Sequence, residues 1–451
     1  MASSIEKLQF PSLTIPVTIE NQYTVLPADQ IPVKLGDSLY LSNFDDGIGV
    51  RVLTPTIYFY KATKHTKSVV KTLRDALSLV LVPYYPLTGR IRDSFNGKLE
   101  VSFGSEQGAL MVEARSDLAI SSLGDLSVPN PGWAPLVFTF PDEQPFNVVN
   151  IPLVIAQVTL FSCGGFSLGL RLCHCICDGL GAMQFINAWA ATAMCGGLVA
   201  DPTPCWDREF FKPRDPPRVT FPHSEFTKME DSSNLTKSLW ESKRTQTCYR
   251  ISREFQLRLK NVAQSKGNKE CTSFDAMAAH IWRSWVKAIE VKPLDYTLRL
   301  TFSVNVRSKM KNPPLKEGYY GNVVCVACAV STVENLMNSD LADIARLVTE
   351  ARMGISEEYV RSTIDYVQVS RPQRLEFGGK LTITQWSRFR MYESGNFGWG
   401  HPLYAGPIDL TATPQVCVFL PEVNGDSTGR MAVCICLPLR AAAQFHNFLG
   451  L

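Results

Sequence analysis

The stretch RLCHCICDGL, from Arg171 to Leu180, sets one histidine among three cysteines and ends in Asp-Gly and a leucine. It fits three interpretations: a metal site, a cysteine nucleophile with its base, or a histidine base whose cysteines are packing residues. An apolar, strand-like run precedes the Asp-Gly pair and a helix-forming run follows it. The stretch therefore predicts a strand-to-helix junction, a place where loops carry function on a rigid scaffold.

The metal interpretation depends on whether the cysteines converge. If residues 172–177 are extended, Cys173, Cys175 and Cys177 share one face and His174 takes the other. Neighbouring positions on one face are about 6.6 Å apart along a strand. Zinc sites instead use turn-forming cysteine pairs that fold their ligands onto one ion. The spacing therefore predicts that no metal is bound.

The thiol interpretation requires a base close to a cysteine. Sequence neighbours on a strand point to opposite faces, which separates His174 from the cysteines beside it. Cysteines inside apolar runs usually behave as small packing residues. A cysteine nucleophile stays open as an alternative, but His174 is the residue that we expect to carry the chemistry.

Composition and charge limit the protein class. The chain has 451 residues, 45% hydrophobic and 19% charged, which predicts two or three domains with ordinary cores. A net charge of +3 without long runs of one sign predicts neither nucleic acid nor an anionic membrane as partner. No signal peptide or membrane span is expected, since no apolar run is long enough. Thirteen scattered cysteines fit the reduced thiols of a soluble, cytoplasmic protein.

The clearest break in the chain lies between Asp201 and Pro222, where six prolines occur. Proline removes backbone donors and stiffens the chain, so we expect an exposed crossover between two domains, residues 1–200 and 223–451. Strands and helices interleave in both halves, which predicts an α/β or α+β fold. Strands are predicted at 54–61, 151–161, 166–176, 297–306, 322–330, 380–387, 415–423 and 430–438, and helices at 69–81, 179–193, 255–263, 271–289 and within 340–367.

Two separated motifs and their flanking blocks resemble one family. HCICDG (174–179) has the form HxxxDG, and NFGWG (396–400) differs by one residue from DFGWG. With YYPLTGR (84–90), GYYGN (318–322) and TITQWSR (382–388) in order and spacing, the chain resembles the plant BAHD acyltransferases along nearly its whole length. The resemblance implies transfer of an acyl group from coenzyme A to an alcohol or amine. It also implies two domains of the chloramphenicol acetyltransferase-like, coenzyme A-dependent acyltransferase fold, with a channel between them.

The resemblance also implies roles for the first motif. His174 would act as general base, taking the acceptor's proton during direct attack on the thioester, without an acyl-enzyme. Asp178, followed by Gly179, would point away from the histidine and form a structural ion pair, for which Arg307 is the expected partner. Acyl-CoA would be a cosubstrate, with no permanently bound cofactor.

Two strands carry the substrate contacts that the resemblance implies. Alternation puts Thr54, Thr56 and Tyr58 on one face, so three hydroxyls would meet the acceptor. Thr384 and Trp386 also share a face and would reach the thioester, where their donors would stabilise the oxyanion. Half-buried strand packing is the alternative for all five residues.

Further residues bear on the substrate and on activity. Arg371 is a candidate for binding an acceptor carboxylate, with a solvated surface arginine as the alternative. Asn396 stands where the family has aspartate, followed by Phe397, Gly398, Trp399 and Gly400. In the family this segment shapes the fold and the coenzyme site, and the substitution removes an ion pair.

The blocks are most similar to the branch that acylates aliphatic or ω-hydroxylated alcohols with hydroxycinnamoyl or simpler groups. We therefore expect a monomeric acyl-CoA-dependent O-acyltransferase. A non-catalytic member that modulates another acyl-CoA-using enzyme is the alternative.

Overall fold

A computed structural model of the chain describes residues 5–8, 13–62, 69–94, 97–144, 147–410, 413–421 and 429–450. Residues 422 and 423 of the predicted strand at 415–423 lie outside this part. The strands are β1 (Ile5–Leu8), β2 (Thr18–Val25), β3 (Ser38–Tyr40), β4 (Leu53–Tyr60), β5 (Arg90–Asp93), β6 (Leu99–Ser102), β7 (Ala109–Ser116), β8 (Val154–Phe161), β9 (Phe166–Cys173), β10 (Arg244–Ile251), β11 (Thr297–Asn305), β12 (Val324–Thr332), β13 (Lys380–Gln385), β14 (Tyr404–Pro407), β15 (Val416–Pro421) and β16 (Met431–Pro438). The helices are α1 (Val69–Val80), α2 (Gly179–Cys195), α3 (Leu235–Glu241), α4 (Arg253–Gln264), α5 (Ser273–Ile289), α6 (Val333–Asn338), α7 (Leu341–Met353), α8 (Glu357–Ser370), α9 (Met391–Ser394) and α10 (Leu439–Leu449).

The first sheet has six strands in the order β14-β4-β9-β8-β7-β2. Its central strands β8 and β9 are buried almost throughout. Such continuous burial requires cover on both faces. One face packs with α1 and α2 in one core cluster, and the other packs against Trp133 and Leu136. This sheet positions the junction after β9 that carries the HxxxDG motif. A separate three-stranded sheet has the order β3-β6-β5.

The second sheet has seven strands in the order β1-β10-β16-β15-β13-β11-β12. Helix α5 supplies much of its core, with Trp282 and Trp285 fully buried. A capping box begins this helix, because the Thr272 side chain accepts from the Asp275 backbone amide and the Asp275 side chain accepts from the Thr272 backbone amide. None of the helices in the described part of the chain combines the length and apolar character that crossing a bilayer requires.

Each large sheet contains one strand from the opposite end of the chain. β1, near the amino terminus, pairs with β10 in the seven-stranded sheet. β14, from the second half, pairs with β4 in the six-stranded sheet. This exchange was not anticipated from the proline-rich break, and it ties the two sheets together by pairing as well as by the crossover.

The proline-rich crossover is buried at its centre, so the expectation of an exposed segment is wrong there. Arg208 is 1% exposed and Phe211 is fully buried. The Phe211 ring packs edge-on against Phe44, with 5.3 Å between centroids, and against Tyr319, at 5.7 Å. The prolines stiffen this segment, but its aromatic and cationic side chains anchor it between the two halves.

Strand β9 ends at Cys173, earlier than the extended run considered from the sequence. The chain turns over residues 174–176, where the Ile176 amide donates to the Cys173 carbonyl at 3.1 Å. Helix α2 then begins at Gly179 with Asp178 as its N-cap. The predicted order of strand, turn and helix is therefore present, with His174 as the first residue of the turn.

Candidate active site

A cavity of about 1120 Å³ lies between the two large sheets. Its walls include residues of β4, β9 and α2 on one side and of β11, β12 and β13 on the other. Segments 43–52 and 371–377 also line it. This is where a channel between two domains was expected, and His174 lies in its wall.

His174 is held mainly through its backbone. Its amide donates to the Val52 carbonyl at 2.8 Å, and its carbonyl accepts from Asn322 Nδ2 at 2.7 Å. Ring atom Nδ1 is enclosed and has no hydrogen-bond partner among the described residues. The orientation of the imidazole ring therefore depends on the backbone of the turn and not on a carboxylate bound to the ring.

The ion pair expected between Asp178 and Arg307 is present. The two guanidinium nitrogens Nη1 and Nη2 donate to the two carboxylate oxygens at 2.8 and 2.9 Å. Asp178 also accepts from the Gly181 amide at 2.9 Å and the Val323 amide at 3.1 Å. This buried carboxylate thus caps α2 and joins it to the opposite half of the chain. Its hydrogen bonds and its ion pair offset the free-energy cost of burying a charge.

The glycine of HxxxDG is explained by a close ring contact. A Cβ atom on Gly179 would lie 2.2 Å from the Phe389 ring, so a larger residue would displace that ring. Phe389 lines the cavity and packs beside Trp386, with 6.0 Å between ring centroids. Gly179 therefore allows the segment around Trp386 to approach the start of α2.

The structure places only two of the three expected β4 hydroxyls in the cavity. Thr54 and Thr56 line it, as strand alternation predicted. Tyr58 points to the same face, but it is fully buried in the hydrophobic core. Its ring lies under the end of α9, where a Cβ atom on Gly395 would be 2.9 Å away. The expected contact between Tyr58 and an acceptor is therefore corrected, because the long side chain extends past the cavity into packed core.

Thr384 and Trp386 both line the cavity on the opposite wall. Trp386 directly follows β13, and its amide donates to the Phe419 carbonyl at 2.8 Å, which continues the sheet pairing. Thr382 lines the same wall, although sequence reasoning did not single it out. Its position two residues before Thr384 on the same strand face was the signal that could have identified it.

Arg371 lines the cavity, but its guanidinium group is paired with a carboxylate. Its Nη1 lies 3.3 Å from Asp46 Oδ2, and Arg51 binds the other oxygen of Asp46 at 2.8 Å. Asp46 is 5% exposed, and burial raises the pKa of its carboxyl while Arg51 opposes that effect. Arg371 is therefore neither a solvated surface arginine nor an unpaired cation awaiting a carboxylate.

The NFGWG segment lies outside the cavity wall. Phe397 packs edge-on against Trp189 at 5.2 Å, and Trp399 packs against Phe166 at 5.3 Å, both between ring centroids. Asn396 Oδ1 accepts from the Gly398 amide at 3.2 Å, a local turn that an aspartate would also form. Gly398 and Gly400 have positive φ angles of 99° and 86°, which favour glycine.

The cysteines in and beside the turn are buried thiols. Cys175 Sγ donates to the Val50 carbonyl at 3.4 Å. The adjacent Cys173 thiol and burial raise the pKa of Cys175 well above its ordinary value, and burial does the same for Cys177. Raised pKa values keep thiols protonated and unreactive. Within the described ranges, no group of three histidine, cysteine or acidic side chains is placed to hold a metal ion.

Replacing Cys177 with alanine is expected to keep turnover near that of the unaltered chain. Cys177 directly follows the turn and is the cysteine of this motif that lines the cavity, so it is the strictest test of a thiol nucleophile. Steady-state kinetics of Cys177→Ala, with Cys175→Ala as the matched buried control, measures this. A loss of roughly 10²-fold or more, the size expected when a reacting group is removed, would restore the thiol interpretation.

Comparisons with known proteins show the family of the chain. A family model described as the Transferase family matches residues 15–448. The chain is 36% identical to omega-hydroxypalmitate O-feruloyl transferase of Arabidopsis thaliana, over 90% of this chain and 88% of that protein. It is 34% identical to alcohol acyl transferase 1 allele RGb of Malus domestica, over 94% and 92%. It is 33% identical to fatty alcohol:caffeoyl-CoA acyltransferase of Arabidopsis thaliana, over 98% and 99%.

Solved structures share the fold. Vinorine synthase superposes with a TM-score of 0.70 at 21% identity, covering 95% of this chain and 96% of that one. TRI101 of F. sporotrichioides, complexed with coenzyme A and T-2, gives a TM-score of 0.74 at 15% identity, covering 91% and 97%. At these identities the likeness establishes the arrangement of the two sheets, and the chemistry has to be argued from this chain's own residues.

Proposed function

Because the chain belongs to the Transferase family, we propose that it transfers an acyl group from an acyl-CoA thioester to the hydroxyl of an aliphatic or ω-hydroxylated alcohol. The observation that carries the proposal is the position of His174 in the wall of the inter-sheet cavity, facing residues such as Thr384 and Trp386 across it. The three relatives above are named for acyl transfer, which supports catalysis over a non-catalytic partner role.

His174 would serve as the general base. Because Nδ1 is enclosed, we infer that Nε2 accepts the proton of the acceptor hydroxyl while its oxygen attacks the thioester carbon. The carbonyl oxygen becomes an oxyanion, which the Thr384 hydroxyl and the Trp386 indole N–H would stabilise as donors. The carbon–sulfur bond then breaks, and Nε2 returns the proton to the coenzyme A thiolate. No acyl-enzyme is formed.

The cavity volume supports a reaction between two bound substrates. Pockets for one small ligand typically measure about 300–1,000 Å³. The 1120 Å³ cavity is larger than this and spans both sheets, so it has room for an acyl thioester and an alcohol together. Thr54 and Thr56 would contact the bound substrates through their hydroxyls. Such a site accelerates the reaction mainly by holding the two substrates together in the geometry in which they react.

Coenzyme A release is expected only when both an acyl-CoA and an alcohol are present. A thiol-detection assay with acetyl-, caffeoyl- and feruloyl-CoA, each against short and long primary alcohols and ω-hydroxy acids, measures this. Hydrolysis without alcohol is the control. Absence of alcohol-dependent release across the whole panel would contradict the proposed function.

We also propose that the protein works as a monomer in a reducing, cytoplasmic environment. Apart from Cys436, the cysteines in the described part of the chain are free thiols, and most of them are buried. Stable unpaired thiols in this number are typical of reducing compartments. Size-exclusion chromatography with light scattering tests the oligomeric state, and imaging of a fluorescent fusion tests the location.

A further inference from the structure

Three buried polar side chains surround the turn at residues 174–176, and none of them was assigned a role from the sequence. Asp45 comes from the first half, Arg208 from the crossover and Asn322 from the second half. They are 0%, 1% and 3% exposed, and they contact one another and the turn. Asp45 Oδ2 also accepts from Ser42 Oγ at 2.6 Å. We name this group the carbonyl clamp.

Asn322 binds the first residue of the turn. Its Nδ2 donates to the His174 carbonyl at 2.7 Å and to Asp45 Oδ1 at 2.9 Å. The backbone amide of Asn322 also donates to Asp45 Oδ1, at 3.0 Å. Both side-chain N–H groups of this asparagine are therefore used, one of them on the backbone of the candidate base.

Arg208 binds the last residue of the turn. Its Nη2 donates to the Ile176 carbonyl at 2.6 Å, and its Nε lies 3.3 Å from Asp45 Oδ2. The guanidinium also stacks over the Trp206 ring at 4.0 Å from the centroid. A Cβ atom on Gly321 would be 1.9 Å from Arg208 Nη1, so the glycine before Asn322 gives the arginine its space.

These contacts form a continuous path from the His174 carbonyl through Asn322, Asp45 and Arg208 to the Ile176 carbonyl. Both ends of a three-residue turn are thus held by one connected group. The charges of Asp45 and Arg208 offset each other, so the clamp adds no net charge beside the base. The imidazole itself has no partner on Nδ1 among the described residues, which leaves the backbone to set its direction.

We infer that the carbonyl clamp positions His174 for proton transfer, and that Asn322 is its principal positioning residue. The inference rests on the proposed function. Proton transfer requires the base within hydrogen-bonding distance of the acceptor hydroxyl, and a misplacement of about 1 Å can reduce a rate by roughly 10²-fold. The clamp also explains why the centre of the crossover is buried: Arg208 is one of its three members.

Asn322→Ala is expected to lower kcat by roughly 10–100-fold, as a shifted base would. The substitution removes both Nδ2 donors but leaves the main-chain bond to Asp45. Asn322 lines the cavity, but its Nδ2 already donates to the His174 carbonyl and to Asp45. KM for acyl-CoA should therefore stay within about twofold of the unaltered value. Kinetics are measured well below the unfolding midpoint of each variant, after circular dichroism has confirmed folding.

Asn130→Ala is the matched control. Asn130 is also 3% exposed, and its Oδ1 accepts from the Gly132 amide at 2.9 Å, outside the cavity wall. It should lose stability without losing kcat. If Asn322→Ala does not fold, Asn322→Ser, whose hydroxyl is shorter but can still bond to Asp45, should show the same kcat loss.

The outcomes separate the two proposals. If the unaltered chain transfers no acyl group, the proposed function fails. If the unaltered chain and Asn130→Ala are active, a folded Asn322 variant with kcat within roughly threefold of the unaltered value overturns the clamp. An equal kcat loss in Asn130→Ala would also overturn it, because the effect would then be a general result of destabilisation.

Discussion

Replacing His174 with alanine is expected to lower turnover by roughly 10²–10⁴-fold while the protein stays folded. The loss follows from removing the group that accepts the acceptor's proton. Folding should survive because the two hydrogen bonds of this residue, to Val52 and from Asn322, involve its backbone. Coenzyme A release under saturating substrates, together with thermal unfolding, measures both expectations.

Cys177→Ala serves as the control for His174→Ala, since it alters a neighbouring cavity residue without removing the proposed base. A decrease of less than tenfold in folded His174→Ala would exclude general-base catalysis by this residue. A matching decrease in both variants would instead indicate that any change in or beside the turn disturbs the cavity.

Asp178→Asn is expected to lower the free energy of unfolding by about 3 kcal/mol and to reduce turnover as well. Asparagine can still accept from the Gly181 amide as an N-cap, so the change mainly removes the negative charge that Arg307 binds. This loss of stability is at the low end of the range for breaking a buried ion pair, because the Arg307 side chain is 21% exposed. Chemical denaturation and the coenzyme A assay give the two measurements.

The double variant Asp178→Asn/Arg307→Met is the control for this charge effect. Removing both charges leaves neither group unpaired, so the double variant should lose less stability than the sum of the single variants. A stability loss below about 1 kcal/mol for Asp178→Asn would show that the pair behaves like an exposed salt bridge. Such a result would contradict its assignment as the support of the junction.

Sequence patterns predicted those helices and strands that are determined by residues close together in the chain. β8 and β9 are continuous apolar runs, and α5 begins with the Thr272–Asp275 capping box, so both could be recognised without a partner. β2 was missed because it is an edge strand of largely exposed, polar residues, and a strand without a buried face has no hydrophobic period. β14, only four residues long, was missed for lack of length.

Contacts between distant segments were predictable only where a motif resemblance specified them. The Asp178–Arg307 pair is one such case. The exchange of β1 and β14 between sheets was not, because any open sheet edge offers unpaired backbone groups, and a short strand's own residues do not specify which edge it joins.

By itself, the sequence determined the interleaved α/β elements, the junction that carries His174, and the residue types available for proton transfer. Only the tertiary structure decided that Tyr58 lies in the core, that Arg371 is paired with Asp46, and that Asp45, Arg208 and Asn322 meet around one turn. The physical reason is the range of the interactions. Periodicity and capping act over a few residues, whereas burial and charge pairing depend on which surfaces the packed sheets bring within a few ångströms of each other.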